Sequence, residues 1–190
     1  MNKIIEKRSS RYLASFLILF LILVSMTIEP VTTNILGEEI FIKTKPYDPR
    51  DLFRGDYVQL NYEINDINLE QLDNEVLKYK DKEEEDNFFE DLRGKKLYVS
   101  LKKNGEIYVV DKVTLKKPEE GIFLKGKYEY PIWDNTAQAK LIGIRVDYTL
   151  DKYFIPENTG ESLEEKARNG EVFAKIKVYK GYSFLQEVVD

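Results

Sequence analysis

The 190-residue chain contains no cysteine and no histidine. These two absences exclude disulfides, thiolate nucleophiles, Cys/His zinc sites, imidazole haem ligation and every His-based triad. A disulfide-stapled secreted scaffold is excluded with them. The catalytic machinery left to such a chain is a pair of carboxylates, a Ser-Lys dyad or a metal held by oxygens. Also missing are internal repeats, low-complexity tracts and any flexible Gly/Ser linker. What remains is ample for folding. Apolar residues make up 43% of the chain, with thirteen Tyr and ten Phe, so a packed core is within reach. The length fits one ordinary domain plus an anchor.

One long apolar run stands near the start. Residues 12–28, YLASFLILFLILVSMTI, carry no formal charge, while Lys3, Lys7, Arg8 and Arg11 precede them and Glu29 follows. Seventeen residues sit at the short end of what crosses a hydrocarbon core of about 30 Å, and polar Thr32 to Asn34 would extend the helix into the headgroups. The basic flank predicts a cytoplasmic N-terminus. The division expected is therefore a cytoplasmic tail at 1–11, a transmembrane anchor at 12–28 and an extracytoplasmic domain at 29–190. A cleaved signal peptide is the competing reading, but it needs a small-residue A-x-A site, and Ser25-Met26-Thr27 is a poor substitute. Four of the 29 Lys and Arg and one of the 34 Asp and Glu precede Glu29. The rest of the chain thus holds 25 basic and 33 acidic groups, a formal charge of −8. Such a domain should not hold nucleic acid or anionic lipid through a general electrostatic field, although local basic patches are compatible with it.

Alternation dominates the expected domain. Ile40 and Ile42, then Tyr57, Leu60 and Tyr62, mark half-buried strands. The spacing of Leu69, Leu72, Val76, Leu77 and Tyr79 predicts helix, and the charged run at 81–86 predicts a solvated surface. Asn104-Gly105 between β-rich runs signals a hairpin, because both residues tolerate positive φ. Strands are expected at 122–130 and 140–150 with a loop at 131–136, a short helix at 161–169, and a last pair of strands joined through Lys180-Gly181. The fold class expected is mainly β (α+β), an antiparallel domain with one or two short helices behind a single N-terminal transmembrane helix.

The densest chemistry lies at residues 47–62, YDPRDLFRGDYVQLNY. Arg50 and Arg54 offer planar forks that match carboxylates, and Asp48, Asp51 and Asp56 are the candidate partners. Asp48-Pro49 favours a turn, and Gly55 is free to adopt a left-handed angle. Two readings stand: an ion-pair cluster that locks the turn onto the sheet, or a groove for an anionic group or protein partner. The neighbouring Arg residues depress carboxylate pKa values, which disfavours a neutral general acid there.

This stretch resembles the GDYXXLXY family of bacterial membrane-associated proteins, through Gly55, Asp56, Tyr57, Leu60 and Tyr62, with Asp48, Pro49, Arg50, Asp51, Leu52 and Arg54 before them. A second segment, Tyr153, Phe154, Pro156 and Glu157 followed by Gly160, Leu163 and Glu164, is similar to the family's YFVPEGxGxxLE region, with Asn158 in place of the usual Gly. The resemblance implies an extracytoplasmic domain associated with membrane segments, sometimes beside multi-pass partners, and no known reaction. Arg54-Gly55-Asp56 spells the integrin tripeptide, but the start of a strand accounts for it. Ser100 and Lys102 share a strand face by period two, and solvent-facing residues explain them. Trp133 with Tyr128 and Tyr130 would suit stacking on a sugar, or packing. No catalytic residue, metal ligand or cofactor is assigned. The function expected is a non-catalytic accessory, sensor or partner-binding module; the alternative is a carboxylate- or metal-dependent envelope hydrolase.

Overall fold

The computed structural model describes residues 2–45, 57–80, 89–134, 136, 140–148, 150, 152–154 and 172–189. It opens with helix α1, Asn2–Leu36. Within it, residues Tyr12–Leu36 have a mean hydropathy of 2.2 and are long and apolar enough to cross a membrane. The Ser25, Thr27 and Thr32 hydroxyls donate back to helix carbonyls at 2.7–2.8 Å, as small polar side chains do where water is absent. The helix runs eight residues beyond the apolar run ending at Ile28 and includes Glu29 and Pro30. This extension is held from outside. Thr33 is fully buried and Glu29 lies 3.4 Å from the Lys125 ammonium. Only Gly37 separates the helix from the first strand. A Cβ there would stand 2.3 Å from the Thr33 carbonyl oxygen and 3.2 Å from that of Val178, so the close approach requires glycine.

The remainder is antiparallel β-structure, in agreement with the alternation in the sequence. Strand β1 (Glu38–Lys45) pairs with β10 (Phe173–Tyr179), which pairs with β11 (Tyr182–Val189). On its other side β1 meets the short β3 (Asn61–Tyr62), giving the order β11-β10-β1-β3. The second sheet has the order β4-β8-β7-β5-β6, from β4 (Asp66–Asn68), β5 (Lys96–Asn104), β6 (Ile107–Thr114), β7 (Phe123–Trp133) and β8 (Leu141–Asp147). The two sheets share one core. Ile40, Ile42, Ala174 and Ile176 from the first pack with Leu97, Val99, Val113, Leu124, Ile144 and Val146 from the second. Each fully buried aliphatic side chain here contributes about 1.5–3 kcal/mol relative to exposure.

The last two strands turn at Lys180-Gly181 as expected, with φ of 49° and 85°, the two positive angles of a type I′ hairpin. The β5–β6 hairpin differs in detail from the Asn-Gly expectation. Asn104 is still paired, with Ile107, and the loop is Gly105-Glu106 with φ positive at Gly105 only. That is the pattern of a type II′ turn.

Two expectations are corrected. Residues 65–79 are not one helix. They form a 3-10 turn at Glu63–Asn65, strand β4, a second turn at Leu69–Gln71 and the four-residue α2, Asn74–Leu77. Their backbone is claimed by neighbouring strands: Ile67 pairs with Ile144, and the Asp73 amide donates to the Val113 carbonyl at 2.9 Å. Residues 131–133 are strand, not loop. Pro131 is tolerated because the β5 partner of β7 ends at the Lys96–Lys127 pair, so no ladder donor is required of it on that side. The acidic run at 81–86 and the helix expected at 161–169 lie outside the described residues.

Candidate functional site

The third sheet is a ribbon of two short strands, β2 (Tyr57–Gln59) and β9 (Lys152–Phe154). Its register pairs Tyr57 with Phe154, Val58 with Tyr153 and Gln59 with Lys152. The two motif-bearing segments, far apart in sequence, are therefore hydrogen-bonded neighbours. Because the pairing is antiparallel, the chain enters β2 and leaves β9 at the same end of the ribbon.

What holds the ribbon to the sandwich is visible in the residues around it. Leu60 and Tyr62 are buried, at 4% and 1% exposure. The Tyr62 hydroxyl donates to the Leu150 carbonyl at 2.6 Å, two residues before β9. In return the Tyr148 hydroxyl donates to the Ile64 carbonyl at 2.7 Å. Asn65 completes the clamp: its Oδ1 accepts the Tyr62 amide at 2.7 Å and its Nδ2 donates to the Val146 carbonyl at 2.8 Å. Segment 62–65 is thus fastened to segment 146–150 by three side chains, each bonding the backbone of the other strand. Burial, reinforced by the nearby Asp66 and Asp147 charges, pushes the Tyr148 phenol well above its ordinary value, so it stays a donor.

Beside the clamp lies a cleft of about 330 Å³ whose polar centre is Arg145, on β8. Its guanidinium donates to Asp66 at 2.8 Å, lies 3.3 Å from Glu129 and donates to the Asn61 side chain. It also sits 5.9 Å from the centre of the Tyr130 ring. Lys45 adds an ion pair to Asp66. Arg145 is only 16% exposed, and its partners come from β3, β4 and β7, so one planar fork ties the two sheets together. Burial raises the Tyr130 phenol pKa against the opposing pull of Arg145. Sequence reading did not find this node. Arg145 is a lone cation in LIGIRVDY, and its acceptors are distant in the chain.

Of the residues singled out from the sequence, Leu60 and Tyr62 are clamp and core, and Tyr57, Tyr153 and Phe154 belong to the ribbon backbone. Asp48, Arg50, Asp51, Arg54, Gly55, Asp56, Pro156, Glu157 and Glu164 lie outside the described residues. Tyr128 is 6% exposed and packs 6.2 Å from Phe89, which places it in the core, whereas Tyr130 and Trp133 are exposed. Lys102 lies 3.0 Å from Asp111 as a surface ion pair. Among the described residues, no three carboxylates converge on a common point where they would hold a cation.

Comparison with curated proteins and with solved structures gave no match. The family model for the GDYXXLXY protein matches residues 19–188, which takes in the second half of the apolar helix, both motif segments and nearly all of the β-structure. On that coverage the chain belongs to the GDYXXLXY family.

Proposed function

We propose that this protein is a membrane-anchored, non-catalytic accessory or sensor module. In this reading α1 is a single-pass anchor with its N-terminus in the cytoplasm. The β-domain lies outside the cytoplasm, in the cell envelope, and binds a membrane protein, a multi-pass one being the partner class the family resemblance implies. The observation that carries the reading is the ribbon. Segments that carry the family's two motifs are paired strand to strand, and the clamp residues Tyr62, Asn65 and Tyr148 spend their polar groups on holding that pairing. In sequence, Arg54-Gly55-Asp56 leads directly into one strand and Pro156-Glu157 follows the other. Arg/Asp-rich sequence adjoining a two-stranded ribbon suits recognition of a charged protein surface. The single-residue junction at Gly37 supports the anchored part of the reading, because it keeps the domain against the bilayer.

Two experiments test this. Protease added to intact protoplasts should digest the domain and leave the tail protected; survival of the whole domain would refute the orientation. In-cell cross-linking with mass spectrometry should identify a membrane protein that is lost in Arg50→Ala and Arg54→Ala variants of unchanged melting temperature. Turnover of envelope material that is abolished by Asp51→Asn or Asp56→Asn would instead establish the hydrolase alternative.

A further inference from the structure

A second cleft, of about 510 Å³, opens where α1 meets the sandwich. Glu29, Lys96, Lys125, Tyr182, Ser183 and Phe184 line it. The helix itself supplies a ruler for its depth. From Tyr12 to Ile28 the apolar run rises about 26 Å at 1.5 Å per residue, close to the thickness of a hydrocarbon core. Glu29 is the next residue and meets Lys125, which sits on β7 inside a folded sheet. A sheet with open edges cannot enter hydrocarbon. The level of Glu29 is therefore the membrane surface, and the cleft beside it is at headgroup depth.

The charges on the adjoining sheet face point the same way. Lys96 of β5 and Lys127 of β7 are directly opposite in the antiparallel ladder, and Lys125 shares their face two residues along β7. Directly opposed like charges destabilise a sheet, with Cβ atoms about 5 Å apart. Glu29 reaches Lys125, and Asp147 stands across from Lys127 on β8, but Lys96 has no ion-pair partner among the described residues. Such an arrangement is stabilised by an external anion. Tyr182 and Phe184 complete the cleft with aromatic rings of the kind that settle at headgroup level.

We infer that this cleft seats the phosphates of anionic phospholipids in the outer leaflet and so fixes how the domain stands on the membrane. The inference rests on the anchored reading of α1. It uses a local basic patch on a domain whose overall charge is acidic.

The absence of native cysteine makes the test direct. The full chain carrying Ser183→Cys, labelled with a fluorophore, is reconstituted into vesicles of phosphatidylcholine with and without phosphatidylglycerol. Headgroup nitroxide lipid should quench the probe more than nitroxide placed deep in the acyl chains, and phosphatidylglycerol should strengthen that quenching. In the Lys96→Gln/Lys127→Gln background the preference for phosphatidylglycerol should fall by about tenfold or more, since each lysine near an anionic surface contributes substantially, with a melting temperature no lower than the parent's. An unquenched probe on protein that floats with the vesicles, or a phosphatidylglycerol response equal in the variant and the parent, overturns this inference and leaves the anchor intact. Failure of the protein to float overturns the anchored reading and this inference together.

Discussion

Replacing Tyr62 by Phe removes one oxygen and keeps the ring. The ring is 1% exposed, so its packing survives; what is lost is the 2.6 Å hydrogen bond to the Leu150 carbonyl. A buried hydrogen bond contributes about 0.5–1.5 kcal/mol net, and a buried acceptor left without its donor costs about 1–3 kcal/mol. The expected loss is therefore about 2 kcal/mol, a sizeable share of the roughly 5–15 kcal/mol that holds a domain folded. For a domain of this size that lowers the melting temperature by about 4–8 °C. Calorimetry or circular dichroism of the parent and variant reads it directly. Because the Tyr148 hydroxyl fastens the same two segments, the Tyr62→Phe/Tyr148→Phe double variant should depart from additivity by about 0.5 kcal/mol or more. Amide hydrogen exchange should meanwhile rise across 57–59 and 152–154 before the sandwich strands respond. A Tyr62→Phe protein that melts within about 1 °C of the parent, with exchange in the ribbon unchanged, would show that the clamp does not hold the ribbon.

Three further outcomes follow from the same geometry. Arg145→Lys keeps the charge but replaces a fork that reaches Asp66, Glu129 and Asn61 with a point donor, so it should cost about 1–3 kcal/mol by chemical denaturation; an unchanged midpoint would refute the cross-sheet role. Gly37→Ala puts a methyl against the Thr33 and Val178 carbonyls and should destabilise the junction of helix and sheet by about 1–3 kcal/mol, seen as faster exchange at the Gly37 amide, which now bonds the Thr33 carbonyl at 2.9 Å. Below about pH 10 the Tyr148 phenol is neutral in both folded and unfolded chains. Above it the unfolded chain ionises while burial keeps the folded phenol protonated, so stability falls by roughly 1.4 kcal/mol per pH unit, and Tyr148→Phe should flatten that decline.

The sequence disclosed those parts of the molecule that local pattern dictates. Ile40 and Ile42 alternate in β1 because one face of that strand is core, and Lys180-Gly181 is a hairpin because two positive φ angles suit the twist of the strands. The apolar run announced the helix, and Thr32 to Asn34 its extension, but not what holds the continuation in place up to Leu36. That continuation comes from Thr33 packing into the domain and Glu29 reaching Lys125, contacts with strands far along the chain. The helical spacing from Leu69 to Tyr79 misled for the same reason: hydrogen bonds from β6 and β8 take backbone groups that a helix would have used. Family resemblance drew attention to Tyr57 and to the Tyr153-Phe154 segment without saying that they meet. Their pairing is a long-range event, and so is the gathering of Asn61, Asp66, Glu129 and Tyr130 around Arg145.

The ribbon is the base of the proposed partner-binding surface. A photo-crosslinking residue placed at Gln59, and in a separate protein at Lys152, occupies the two positions of a single register pair, while Lys103 on β5 is an exposed reference away from the ribbon. After irradiation in cells, the Gln59 and Lys152 proteins are predicted to capture one and the same membrane protein, and the Lys103 protein to leave it uncaptured. Capture of unrelated proteins from the two paired positions, or the same yield from all three, would contradict the account.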